Sequence, residues 1–391
     1  MRPGPNSLNT STILPELLAQ VAIGQDSRFR EYLQKNDCRN LNLAAKLMKF
    51  SAPALGALGK ALNKMKVTAI DLSGNNIDDA KIKYFSQALQ ETQLRAIHLS
   101  DNLISDTGAG ILGRALVGTG VKKLNLSYND IGVCGASELG AALANSSITS
   151  IDLSNNNLGN IGAIILGMHL KNSSVSKLNL SNNNLSDTLL STFGSTLQGT
   201  QVYCLNLSQN NINSKGMQNL VRVLPETQIK KLNLENNLIT DTGVQALAKV
   251  LNQTQIIQLK LASNQISAAA LQQINDRIVE QQKSISMGLY HITCLRLMPK
   301  AVQAQNFNLP ELTTTSVENS ALQVAGGILM QAKLPNEIFC HIVSYLPFMK
   351  TATGKNQVQH YAALANQRYP NGLQYEDEAK DKSVFLANKQ P

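Results

Sequence analysis

Residues 148–158 read ITSIDLSNNNL, with apolar side chains at Ile148, Ile151, Leu153 and Leu158. The run Ile151, Asp152, Leu153, Ser154 alternates with a period of two, which puts one face of a strand inside and the other in solvent. The same spelling returns every 27 residues, beginning at Val67, Leu94, Val121, Val175, Val202, Ile229 and Ile256, so eight copies occupy residues 67–282. An asparagine recurs at 75, 102, 129, 156, 183, 210, 237 and 264, where the chain leaves each strand. A buried amide both donates and accepts, so it can satisfy backbone groups of its own turn and of the neighbouring copy. Further along comes an apolar pair four residues apart, as in Leu112/Leu116, Leu139/Leu143, Leu166/Leu170, Leu220/Leu224 and Leu247/Leu251. That spacing is the buried stripe of a helix. Gly108, Gly135, Gly162, Gly216 and Gly243 share a place just ahead of the stripe, where the backbone is expected to crowd its neighbour.

Each copy is therefore strand, turn, helix and return. Parallel strands stack about 4.8 Å apart, while packed helices need roughly 8–10 Å, so a stack of such units bends with its strands inside. The pattern L-x-x-L-x-L-x-x-N-x-L closely resembles the leucine-rich repeat in its longer, ribonuclease-inhibitor-like form. The resemblance implies an α/β fold: a leucine-rich-repeat solenoid, curved as a horseshoe, with parallel strands on the concave face and helices on the convex face. It also implies a module that binds protein.

The ends of the array depart from the pattern. One step of 27 residues back from the first copy lie Leu43, Ala45, Met48 and Phe50, then Leu58 and Leu62. These residues predict a ninth, degenerate unit in the same register, with Met48 in place of the asparagine, because an end unit has no preceding turn to bond. Residues 12–38, with Phe29, Tyr32 and Leu33, predict a helix covering it. After residue 282 the spelling is lost. The expected organisation is an N-terminal helical cap over 1–39, the solenoid over 40–282, a connector over 283–318, a small helical module over 319–370 and a disordered polar tail over 371–391.

The outward strand positions form rows that a partner would meet. The central row carries His98, Asn125, Asp152, Asn179, Asn206, Asn233 and Lys260, with Asp71 at its start and a serine row beside it. On the other side stand Lys123, Lys177 and Lys231, next to Arg95, Lys122, Tyr203 and Lys230. These residues are the candidate partner-binding set. Arg95 and Tyr203 are its expected anchors, since Arg and Tyr dominate interface energies.

Bulk properties narrow the function classes. The net charge of +9 divides into +6 over residues 1–66, zero over 67–282 and +3 over 283–391. The repeats are neutral, which points away from nucleic acid as the partner. Cys38, Cys134, Cys204, Cys294 and Cys340 contain no CxxC pair, so neither a zinc cage nor a disulfide framework is expected. No stretch reaches the eighteen or so apolar residues of a membrane span. The five histidines make no metal motif, and Cys340 and His341 are neighbours on a predicted helix, pointing in different directions. No cofactor and no catalysis are expected.

Two features follow the repeats. Leu334–Leu346 reads LPNEIFCHIVSYL, with Ile338, Ile342 and Leu346 on one helical face. It resembles the opening helix of an F-box, which would make Leu334, Pro335, Glu337, Ile338 and Ile342 a dock for a Skp-type ubiquitin-ligase subunit. The aspartate-leucine pair and terminal tryptophan of that motif are absent, and the segment follows the repeats instead of preceding them. A packing helix of a small bundle is the plainer expectation. Glu376, Asp377 and Glu378 lie in the polar C-terminal segment, which resembles the acidic signal of type IV secretion substrates. With its Asn- and Ser-rich repeats the chain resembles leucine-rich-repeat effectors of intracellular bacterial pathogens. The resemblance implies secretion into a host cell, solubility in host cytoplasm and a host protein as partner.

Overall fold

The computed structural model describes residues 10–297. Nine three-residue strands form one sheet in chain order, every neighbouring pair parallel: β1 Asn40–Asn42, β2 Ala69–Asp71, β3 Ala96–His98, β4 Lys123–Asn125, β5 Ser150–Asp152, β6 Lys177–Asn179, β7 Cys204–Asn206, β8 Lys231–Asn233 and β9 Gln258–Lys260. From β2 to β9 the register advances by 27 residues at every step, as Asn125↔Asp152 and Asp152↔Asn179 show. The middle residue of each strand from Leu41 to Leu232 is buried, while its two neighbours are partly or fully exposed. This is the alternation expected of a sheet with one covered face.

A helix follows each of the nine strands. These are α3 Ala52–Ala61, α4 Asp79–Ser86, α5 Asp106–Leu116, α6 Val133–Leu143, α7 Gly159–Leu170, α8 Leu190–Thr196, α9 Ser214–Val221, α10 Asp241–Val250 and α11 Ala268–Leu297. Ahead of β1 stand α1 Thr10–Ala22 and α2 Ser27–Lys35. The paired helix residues, such as Leu139 and Leu143 or Leu166 and Leu170, are at most 2% exposed and join the strand residues in one continuous core. Burying a leucine of this kind is worth about 1.5–3 kcal/mol.

The first unit departs from the expected register. β1 pairs with β2 at an offset of 29, Leu41↔Ile70, so Leu41 and Leu43 fill the inward strand sites rather than Leu43 and Ala45. Its helix keeps the 27-residue step, with Leu58 and Leu62 buried as Phe85 and Leu89 are one unit later. The extra length lies between strand and helix, where Met48 is 51% exposed. No unit precedes this turn, so it is held from one side only, by Leu47 N–H donating to Asn75 Oδ1. The N-terminal segment is two helices rather than one. Leu14, Leu17, Leu18 and Val21 of α1, and Phe29 and Leu33 of α2, are buried.

The F-box-like residues Leu334, Pro335, Glu337, Ile338 and Ile342 lie outside the described residues. So do the expected module over 319–370 and the tail over 371–391.

Candidate functional site

The turns that hold the strands in register begin with the asparagine. Asn102 Nδ2 donates to the carbonyls of Leu99 and Ser100 in its own turn and of Leu72 in the preceding one. Its Oδ1 accepts from the backbone N–H of Asn75 and Ile77. The recurrent asparagines repeat most of this set, and Asn75 and Asn183 are completely buried. The amide therefore does what its spacing predicted.

Three further ladders escaped the sequence reading, although all recur with the 27-residue period. Thr119, Thr200, Thr227 and Thr254 are buried at the return to the strand, each donating its hydroxyl to a leucine carbonyl three residues back. At the helix starts, Asp79, Asp106, Asp187 and Asp241 accept from the backbone N–H of Ser105, Gly132, Asn213 and Ser267 one unit later. The Ser267 N–H and hydroxyl hold the Asp241 carboxyl below the usual carboxylate range. Val133 interrupts this ladder, and Gly159 N–H bonds the Asn183 carbonyl instead. Gly59, Gly113 and Gly140 form a second glycine row, where an added Cβ would meet Ala88, Ala142 and His169 at 2.9, 3.1 and 2.7 Å. The glycine row that was expected is also crowded. A Cβ on Gly135 would lie 2.6 Å from Asp106 Oδ1 and 2.7 Å from Ile131 Cγ2.

The candidate partner-binding residues all lie on or beside the open strand face, where parallel pairing aligns them in rows. In the central row, Oδ1 of Asp71, Asn125, Asp152, Asn179, Asn206 and Asn233 accepts from the backbone N–H two residues on. Asp152 also accepts from Ser154 Oγ and from Asn179 Nδ2. Part of this row's capacity therefore goes to shaping its own turns. His98 sits between Asp71 and Asn125 in register, and Lys260 is 3.7 Å from Glu235.

The basic rows are different. Lys122, Lys123, Lys177, Lys230 and Lys231 are exposed, and among the described residues none is ion-paired. The ammonium of Lys177 is 6.0 Å from the centroid of the half-buried Tyr203 ring. Exposed Arg95 donates from Nη1 to the Gly120 carbonyl at 2.9 Å. A Cβ at 120 would collide with that guanidinium, so the glycine leaves it room.

Models of the leucine-rich repeat match residues 63–80, 121–140, 144–167, 204–221 and 227–248, and a second such model matches 174–196. These segments are leucine-rich repeats, and the fold is an α/β leucine-rich-repeat solenoid. The copies at Leu94 and Ile256 lie between and beyond the matched segments, yet keep the same strand register. No curated protein matches the chain. Among solved structures, one titled Leiomodin-1 Actin-Binding Site 2 (ABS2) is similar at 17% identity and a TM-score of 0.29, over 36% of this chain and 78% of that one. Leucine-rich repeats characteristically mediate protein–protein interaction. Among the described residues no helix is long and apolar enough to cross a membrane, and no group of three His, Cys, Asp or Glu residues is placed to hold a metal ion.

Proposed function

We propose that the chain is a non-catalytic scaffold that holds a protein partner on the open face of its sheet. The observation that carries this reading is the face itself. The first and third positions of all nine strands stay partly or fully solvent-accessible, whereas Ser127, Ser154, Ser181 and Ser208 of the serine row are buried. The accessible positions and those beside them present Arg95, Tyr203 and five lysines that, among the described residues, form no ion pair. A true anchor contributes about 2 kcal/mol or more, so Arg95→Ala with Tyr203→Ala should weaken capture of the partner at least tenfold without lowering the melting temperature. Undiminished capture by the double variant would remove these residues from the interface.

The partner is proposed to be a host protein, and the chain a bacterial effector delivered into host cytoplasm by type IV secretion. This finer reading rests on the resemblance of the repeats and on the acidic run Glu376, Asp377 and Glu378. Deleting residues 374–391 should abolish translocation while leaving the repeats' melting temperature unchanged. Normal delivery of the shortened chain would refute the signal. Capture of a Skp-type subunit, lost on Leu334→Ala with Pro335→Ala, would instead favour a ubiquitin-ligase adaptor.

A further inference from the structure

The neutral charge of residues 67–282 conceals two edges of opposite sign. At the two positions entering each strand stand Arg95, Lys122, Lys123, Lys177, Lys230 and Lys231, with no acidic residue among their equivalents in any copy. At the positions leaving the strand and opening the helix stand Asp78, Asp79, Asp101, Asp106, Asp130, Asp187 and Asp241, with no basic residue. Thus six of the fifteen repeat cations and none of the fifteen anions lie on the entry edge.

The cations are also evenly placed. Strand pairing puts Lys123, Ser150, Lys177, Cys204 and Lys231 in one line across five strands, so a lysine recurs at every second strand. Two strand steps are about 10 Å. Asp152, in the central row between Lys123 and Lys177, accepts from Ser154 and Asn179 and forms no ion pair with either lysine.

We infer, building on the reading of this face as a protein-binding surface, that the lysine row takes an acidic helical segment whose carboxylates recur every seventh residue. Seven residues of helix advance about 10.5 Å and return to nearly the same face, matching the lysine spacing. An extended segment would need a carboxylate every third residue, and successive ones would then point to opposite sides. Single-stranded nucleic acid fits less well. Its binding grooves pair cations with a series of aromatic stacking platforms, and the entry rows offer Tyr203 alone.

The test uses the full chain and two synthetic helical peptides of about 21 residues with the same composition. One carries three glutamates seven residues apart, and the other spreads them around the helix at five-residue steps. Fluorescence anisotropy at about 50 mM salt, where exposed charges are weakly screened, should show the first peptide binding more tightly. Lys123→Ser with Lys177→Ser and Lys231→Ser should weaken it roughly tenfold or more. Lys83→Ser with Lys171→Ser and Lys249→Ser, on the helical side, should leave it unchanged. Equal binding of the two peptides, equal loss in the two triple variants, or tighter lysine-dependent binding of an oligouridylate would overturn the inference. So would no peptide binding at all. In that case the broader scaffold reading would still be decided separately, by partner capture with the Arg95/Tyr203 variant.

Discussion

Asn156 shows how much one side chain holds. Its Nδ2 donates to the carbonyls of Leu126, Leu153 and Ser154, and its Oδ1 accepts from the Ile131 N–H, all with the residue 8% exposed. Asn157 has the same side chain but is exposed, and accepts only a long bond from Asn184. Truncating the first strands buried backbone groups in two turns, whereas truncating the second returns its partner to water. Asn156→Ala should therefore cost about 1–3 kcal/mol and Asn157→Ala no more than about 0.5 kcal/mol, compared by denaturant midpoints. This contrast was legible in the sequence, because burial follows the period and the period singles out 156. The central row was less legible. That Asp152 or Asn179 would spend an oxygen on its own turn depends on backbone angles after the strand, which the spelling Asp-Leu-Ser does not reveal.

At the scale of the element, the helix starts separate what glycine does from where it stands. Gly132, just ahead of α6, and Gly159, the first residue of α7, occupy equivalent positions in the repeat, where the other copies carry Asp78, Ser105, Ser186, Asn213, Thr240 and Ser267. Gly132 has φ −108°, and an added Cβ would make ordinary contacts at 3.5 Å with the Asp106 carboxylate oxygens. Gly159 has φ +57° with open space around it, so the obstacle there is the backbone conformation alone. Gly132→Ser should supply the missing cap and restrict the unfolded chain, stabilising by about 0.5 kcal/mol. Gly159→Ala should destabilise by about 1 kcal/mol. Shifts of the same sign in thermal melts would contradict the two backbone states. The sequence marks both residues as breaks in the capping pattern, but it cannot distinguish them, because φ is set by the local hydrogen bonding. Here Val133 has removed the acceptor that Gly159 would otherwise meet, and the chain turns to the Asn183 carbonyl instead.

Across the whole array, each inner unit has a neighbour on both sides imposing the same spacing, which is why the 27-residue register from β2 to β9 could be read from spelling alone. The first unit has a repeat on one side only and the helices α1 and α2 on the other, which impose no strand spacing, and there the extrapolated register failed by two residues. The open face was legible as rows of residue types. The separation of its charges into a basic entry edge and an acidic exit edge emerges only when the copies are aligned as the strands pair them. This face, and not the helical side, is proposed to meet a protein partner. The most direct measurement places a photo-crosslinking amino acid at Ser150, in the line of lysines, or at Gln218, exposed on α9, in the full chain inside the cell where it acts. A discrete protein adduct is expected from position 150, diminished by Arg95→Ala with Tyr203→Ala, and none from position 218. An adduct formed from 218 and absent from 150 would contradict the proposal.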